Sequence, residues 1–290
     1  MRKVHHLIAI VFGLCALSLN AQVVFVLPGL NGVSDVVTGF SVSPFAQISS
    51  FDATNSAYNA LARSDGGEFY VISNSASNTV ITTNSILGNV QPLIGFGSGA
   101  AAAVRTPDGQ KILVAAGGLQ VINVANDSLL APSGISVSGT AVDVAASVDS
   151  TQAFVLVDTG GGFQLNAVDL RLLQSVHTLA LAGNPSGVTV GPNGLVYVGT
   201  NNALLEIDPT TLTVLNTIPA TGLPGKISFT PDGTLAAAVN VNTSTSFALF
   251  VFDMKAKAVA SFSSFFTTTA IPNPLSQILV VGNNRAFAFS

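Results

Sequence analysis

The sequence is poor in charge. Lys, Arg, Asp and Glu make up 8% of its 290 residues, against about 25% in an average soluble protein. Hydrophobic residues reach 48%, and the mean hydropathy is +0.58. Ten basic residues in a chain of net charge -4 leave no basic surface for phosphates, which excludes nucleic acid as a partner. Long apolar runs are missing too. Beyond the N-terminal segment no stretch approaches the roughly 20 uninterrupted apolar residues of a spanning helix, so the chain reads as not membrane-spanning. Its apolar content excludes disorder. With no Trp and 3 Tyr, sugar binding by ring stacking is disfavoured.

Cysteine occurs once, as Cys15, and histidine three times, as His5, His6 and His177. Arg2 and Lys3 precede an apolar run from Leu7 to Leu19, which closes at Ala21 before Gln22. That order of positive, apolar and small residues is the pattern of a secretory signal peptide. Residues 1–21 are therefore expected to be removed and residues 22–290 to form a single domain that is periplasmic, cell-surface or secreted. The mature chain would then hold no cysteine and His177 alone. Disulfides, thiolate metal sites, a cysteine nucleophile and a serine triad are all excluded on that reading, and no metal or cofactor is expected.

What the sequence does have is a repeat. Ser64-Asp65-Gly66, Pro107-Asp108-Gly109, Val148-Asp149-Ser150, Pro192-Asn193-Gly194, Pro231-Asp232-Gly233 and Gly282-Asn283-Asn284 recur at steps of 43, 41, 44, 39 and 51 residues. A period near 42 is that of a four-stranded propeller blade. Asp-Gly and Asn-Gly between apolar runs signal hairpins, because both residues readily take positive φ. A second series, Asn123, Asp169, Asp208 and Asp253, ends other apolar runs at steps of 46, 39 and 45. Two interleaved markers imply four strands per repeat.

The strands alternate little. Lys111 to Ala116 and Ala248 to Phe252 are almost continuously apolar, as expected of strands covered on both faces. Low charge then follows from topology, since each blade is buried by its neighbours. Ala100 to Ala103 and Ala141 to Ala146 fit innermost strands, where space is tight. The count gives 25 strands, from Val23 to Phe289. That is one more than six complete blades and three fewer than seven, so the fold class is an all-β propeller of six to seven blades, the last one incomplete if there are seven.

Phe69-Tyr70-Val71-Ile72-Ser73-Asn74, Val196-Tyr197-Val198-Gly199-Thr200-Asn201 and Leu205-Glu206-Ile207-Asp208-Pro209-Thr210-Thr211, together with the Pro-Asp-Gly turns, resemble the YVTN-type β-propeller repeats of exported bacterial and archaeal surface proteins. The likeness runs over residues 23–290 and rests on turn and packing residues. The resemblance implies a propeller fold and leaves the activity open. The repeat around Ile81 to Leu87 departs from it by lacking the acidic landmark.

Few residues here can do chemistry. Of 14 acidic residues 12 are Asp, mostly in turns, where Asp caps the backbone. His177 is placed on an outer strand facing solvent. Gly160-Gly161-Gly162 reads as a hairpin tip, lacking the Lys and the helix of a phosphate loop. Asp143 is the principal acid of the innermost strands, and Arg63 and Arg105 end innermost strands just before their turns. These three are the ligand-binding candidates, and no catalytic residue is assigned. The expectation is a non-catalytic, monomeric module that binds a protein or cell-envelope partner through rim loops. The alternative is an exported enzyme of lactonase or hydrolase type, which needs acidic or histidine side chains converging on the axis.

Overall fold

The computed structural model describes residues 23–26, 36–42, 45–52, 57–63, 68–73, 80–84, 91–94, 96, 98–220, 226–243, 246–266, 277–282 and 285–289. Among them every regular element is a β-strand, and the strands pair antiparallel into seven sheets. The first sheet holds β1 (Val23–Val26), β2 (Val36–Val42) and β3 (Phe45–Asp52). The second holds β4 (Ala57–Ala62), β5 (Glu68–Ser73), β6 (Val80–Asn84) and β7 (Gln91–Ile94). In the third are β8 (Ala102–Arg105), β9 (Lys111–Ala116), β10 (Gly118–Asn123) and β11 (Ser128–Leu129). The fourth comprises β12 (Thr140–Ala146), β13 (Gln152–Asp158), β14 (Phe163–Asp169) and β15 (Gln174–Leu181). The fifth comprises β16 (Pro185–Val190), β17 (Val196–Thr200), β18 (Ala203–Ile207) and β19 (Val214–Pro219). The sixth has β20 (Ser228–Phe229), β21 (Leu235–Thr243), β22 (Ser246–Asp253) and β23 (Ala258–Phe266). The seventh pairs β24 (Gln277–Gly282) with β25 (Arg285–Phe289).

Every strand expected from the turn spacing is present, and each complete sheet follows chain order. The chain divides into two compact units, Met1–Ala100 with the first two sheets and Ala101–Ser290 with the other five. Within the second unit, successive sheets stack face to face. Along β13, Ala153, Val155 and Val157 pack with Leu113, Ala115 and Val121 of the third sheet. The alternate residues Phe154 and Leu156 pack with Val188, Val196 and Val198 of the fifth. Leu204 and Ile218 of the fifth sheet meet Ala236, Phe250 and Phe252 of the sixth. A strand buried on both faces has no reason to alternate, which is why these strands read as continuous apolar runs. Outer strands are the wettest of those whose side chains are described: six of the eight residues of β15 are exposed, His177 among them, as expected.

The turns between first and second strands depart from the hairpin expected. Positive φ occurs only at the residue after the acid, in Gly109, Ser150, Gly194 and Gly233, with φ of 72°, 61°, 81° and 68°. The acid accepts a hydrogen bond instead, from a hydroxyl two residues earlier. Thr106 Oγ1, Ser147 Oγ and Thr230 Oγ1 each lie 2.6 Å from Oδ1 of Asp108, Asp149 and Asp232. The same hydroxyls accept the N–H of Lys111, Gln152 and Leu235. The third-to-fourth strand turns follow a second rule. Asp169, Asp208 and Asp253 accept the N–H groups two and three residues on, Asn123 accepts that of Ala125, and positive φ follows at Asp127, Leu173, Leu212 and Lys257. The turns at Asp65 and Asn283 lie outside the described residues.

Candidate functional site

Among the described residues of the second unit, two clusters each bury a carboxylate paired with a lysine. The first lies on the innermost strands and contains Asp143. A bulge in β12 between Ala141 and Asp143 shifts the register there and turns the Asp143 carboxylate toward the next strand. Oδ1 accepts the Val144 N–H at 2.9 Å and the Lys226 ammonium at 2.7 Å, and Oδ2 accepts the Val188 N–H at 2.8 Å. The side chain thus spans three consecutive sheets, from β12 across β16 to Lys226, two residues before β20. Gly187 makes the crossing possible, because a Cβ there would lie 3.0 Å from Asp143 Oδ2 and 3.2 Å from Lys226 Cβ. Asp143 is 7% exposed. A buried carboxylate accepting three hydrogen bonds, one of them from an ammonium, has most of its acceptor capacity filled by the protein itself.

The second cluster lies between the fifth and sixth sheets and follows from a missing residue. The first-to-second strand turn has six residues in the third, fourth and sixth sheets (106–111, 147–152 and 230–235) and five in the fifth (191–195). The hydroxyl position is taken there by Gly191. Dropping one residue shifts β17 by one, and a shift of one turns every side chain to the opposite face. Ala153 and Ala236, each four residues past the acid, pack with the preceding sheet, whereas Tyr197, four past Asn193, packs with the following one. Gly191 admits the tyrosine, since a Cβ would lie 2.7 Å from Tyr197 Cε2.

Tyr197 donates to Glu206 Oε1 at 3.3 Å and accepts from Asn193 Nδ2 at 2.9 Å. Asn216 donates to Glu206 Oε2 at 3.0 Å, and Lys257 reaches the same carboxylate from the sixth sheet at 2.6 Å. Burial pushes the Tyr197 phenol up to about 12, with the Glu206 carboxylate adding to the rise and the Asn193 hydrogen bond opposing it. Such a phenol is not poised for proton transfer near neutrality. Both clusters therefore tie sheets together.

The two arginine candidates fall in different units. Arg105 ends β8 as expected, and Arg63, just past β4, pairs with Glu68 at 2.6 Å. Asp143 is brought together with Lys226, which sequence reasoning does not single out, since no local signal links residues 83 apart. Glu206 appears in the sequence only within a repeat motif, and nothing local marks Lys257 as its partner. The hydroxyl two residues before each acid is legible in the sequence at Thr106, Ser147 and Thr230, and its replacement by Gly191 is the one sign of the altered fifth sheet. Among the described residues no group of three or more His, Cys, Asp and Glu is placed to hold a metal ion, and no helix is long and apolar enough to cross a membrane.

No protein-family model matches the sequence, and no curated protein matches it. Solved structures do match. Kuenenia stuttgartiensis hydrazine synthase is similar at TM-score 0.53 and 17% identity over 58% of this chain; the chain covers 49% of that one, about half its length. A functionally unknown protein from Desulfotomaculum acetoxidans DSM 771 is similar at TM-score 0.59 and 20% identity, over 80% of this chain and 77% of that one. At such identities the likeness concerns the fold alone. With the successive four-stranded antiparallel sheets, it shows an all-β fold of the β-propeller class.

Proposed function

We propose that the chain is an exported, non-catalytic β-propeller of the YVTN type, serving as a binding or structural module of the cell envelope or exterior. Residues 1–21 act as a cleaved signal peptide, and residues 22–290 form one domain that works as a monomer through its rim loops. The observation that carries this reading is the state of Asp143. It is the only carboxylate within the bounds of the first strands β4, β8, β12, β16, β20 and β24, and it accepts hydrogen bonds from Val144, Val188 and Lys226. An enzyme working at the axis needs an available acid, base or metal set there. A rigid frame with small polar loops suits binding better.

The test is fractionation of cells producing the full chain, with N-terminal sequencing of the product. The reading expects a mature protein that starts near Gln22 in the envelope or exterior fraction. Uncleaved protein retained in the cytoplasm contradicts it.

A further inference from the structure

The first-to-second strand turn carries an amide in the fifth sheet where its neighbours carry an acid. Asp108, Asp149 and Asp232 stand in the third, fourth and sixth sheets, and Asn193 in the fifth. All four Oδ1 atoms accept the N–H two residues on, from Gln110, Thr151, Thr234 and Leu195. The three acids also accept a hydrogen bond from the hydroxyl of Thr106, Ser147 or Thr230, whereas Gly191 gives Asn193 no such donor. Asn193 meets the Tyr197 phenol instead, and there the direction of the hydrogen bond reverses. The Glu206 carboxylate only accepts, so the Tyr197 proton is committed to it. The phenol oxygen can then only accept from residue 193. Asn193 supplies that proton through Nδ2 at 2.9 Å, and the Leu195 N–H on Oδ1 fixes which way the amide points. An ionised Asp has no proton to give.

Asn193 is followed by Gly194, and the only other Asn-Gly pair in the sequence is Asn31-Gly32. Asparagine before glycine is chemically labile, because no Cβ hinders attack by the next backbone nitrogen. In that reaction the Gly194 nitrogen bonds to Asn193 Cγ, the Cγ–Nδ2 bond breaks, and ammonia leaves with the Gly194 proton. Water then opens the cyclic imide at one of its two carbonyls, giving aspartate or isoaspartate. Asn193 is exposed, so water reaches it. The folded turn nevertheless ties up every group involved. The Gly194 N–H donates to the Gly191 carbonyl at 2.9 Å, Oδ1 holds the Leu195 N–H, and Nδ2 holds the Tyr197 oxygen. We propose that Asn193 is a deamidation site guarded by the Glu206–Tyr197 cluster, and that its conversion to a carboxylate is a one-way switch that loosens the contact between the fifth and sixth sheets. Conversion proceeds from openings of the cluster. Afterwards two carboxylates compete for the single Tyr197 proton, so the cluster cannot close as before.

The test is peptide mapping by mass spectrometry of the full chain after incubation at mildly alkaline pH, folded and unfolded in urea. Conversion at Asn193 should be at least about tenfold slower in the folded chain, since it tracks the population of the opened form. Tyr197→Phe, which takes away the acceptor of Nδ2, should speed the reaction at Asn193 in the folded chain and leave that at Asn31 unchanged. Asn193→Asp, which makes the product directly, should lower the melting temperature by at least about 2 °C. In a Tyr197→Phe background the same substitution should cost nothing further, because no phenol proton is contested. Circular dichroism checks that each variant is folded, and the comparison of folded with unfolded wild type needs no variant at all. Equal rates at Asn193 in the folded and unfolded chain overturn the proposal, as does a folded-state rate that Tyr197→Phe leaves unchanged. Melting of Asn193→Asp at the wild-type temperature, or a loss of the same size with and without the Tyr197 hydroxyl, overturns it too.

Discussion

Lys257 occupies the place of a leucine. Leu173 follows Asp169 by four residues, Leu212 follows Asp208 by four and Lys257 follows Asp253 by four, with φ of 55°, 50° and 53°. Leu212 is buried among residues of the preceding fourth sheet, and Leu173 packs against the cluster shared by the third and fourth sheets. Lys257 also reaches back to the preceding sheet, but there it meets Glu206, which is 2% exposed. Glu206, two residues before Asp208, faces the following sheet as Val121 and Ala167 do two residues before Asn123 and Asp169, so a carboxylate stands where those sheets have an apolar residue, and the lysine answers it.

Breaking this pair should cost more than replacing it. Glu206→Ala leaves Lys257, Asn216 and Tyr197 without their acceptor, and a loss of about 2–4 kcal/mol is expected, toward the lower end because Lys257 is partly solvated. Glu206→Leu/Lys257→Leu restores the apolar contact of the neighbouring interfaces and should be neutral or stabilising. Urea unfolding of the two variants measures both effects.

The shortened turn makes Gly191 intolerant of a side chain. Gly191→Ala places a Cβ against the Tyr197 ring and 2.8 Å from Asn193 Oδ1, and a cost of about 1–3 kcal/mol is expected from overpacking. Tyr197→Leu in the same chain should relieve most of it. Equal costs of Gly191→Ala with and without Tyr197 would show that the ring is not the obstacle. In the wild type, absorbance titration should show a tyrosine step near 12, and Tyr197→Phe should remove that contribution.

How much of this was legible before the fold was known differs by scale. Period, strand count and doubly covered strands follow from Asp-Gly spacing and unbroken apolar runs, because turns and burial are local consequences of local residues. The register of the fifth sheet is not local. Pro192-Asn193-Gly194 looks like Pro231-Asp232-Gly233, yet Val196 pairs with Ile207 where Leu235 pairs with Asp253 itself. Asp143 was legible as an innermost acid, but its crossing to Lys226 depends on a bulge and on Gly187, which only pairing reveals.

The capped turns predict a dependence on acid. Asp149 is held below 3.8 by the Ser147 hydroxyl and the Thr151 N–H, and Asp232 by the Thr230 hydroxyl and the Thr234 N–H. For Asp108 burial opposes the shift, but the Thr106 hydroxyl and the Gln110 N–H outweigh it. A carboxyl depressed in the folded state stabilises fully above its unfolded value, and the contribution is lost as pH falls through the lower folded one. Melting temperature should therefore decline as pH drops below about 4, and the decline should be shallower in Asp149→Asn/Asp232→Asn. Thr230→Val, which removes the hydroxyl, should cost about 1 kcal/mol at neutral pH and flatten the same limb.

Asp143 tests the reading of this chain as a binder and not a hydrolase. The decisive measurement is hydrolysis of a panel of lactones and esters by the wild type and by Asp143→Asn, with melting temperatures recorded alongside. The account predicts no turnover that depends on Asp143, and a lowered melting temperature in the variant because the tie between β12, β16 and Lys226 is weakened. A hydrolytic activity abolished in Asp143→Asn at unchanged melting temperature would contradict it.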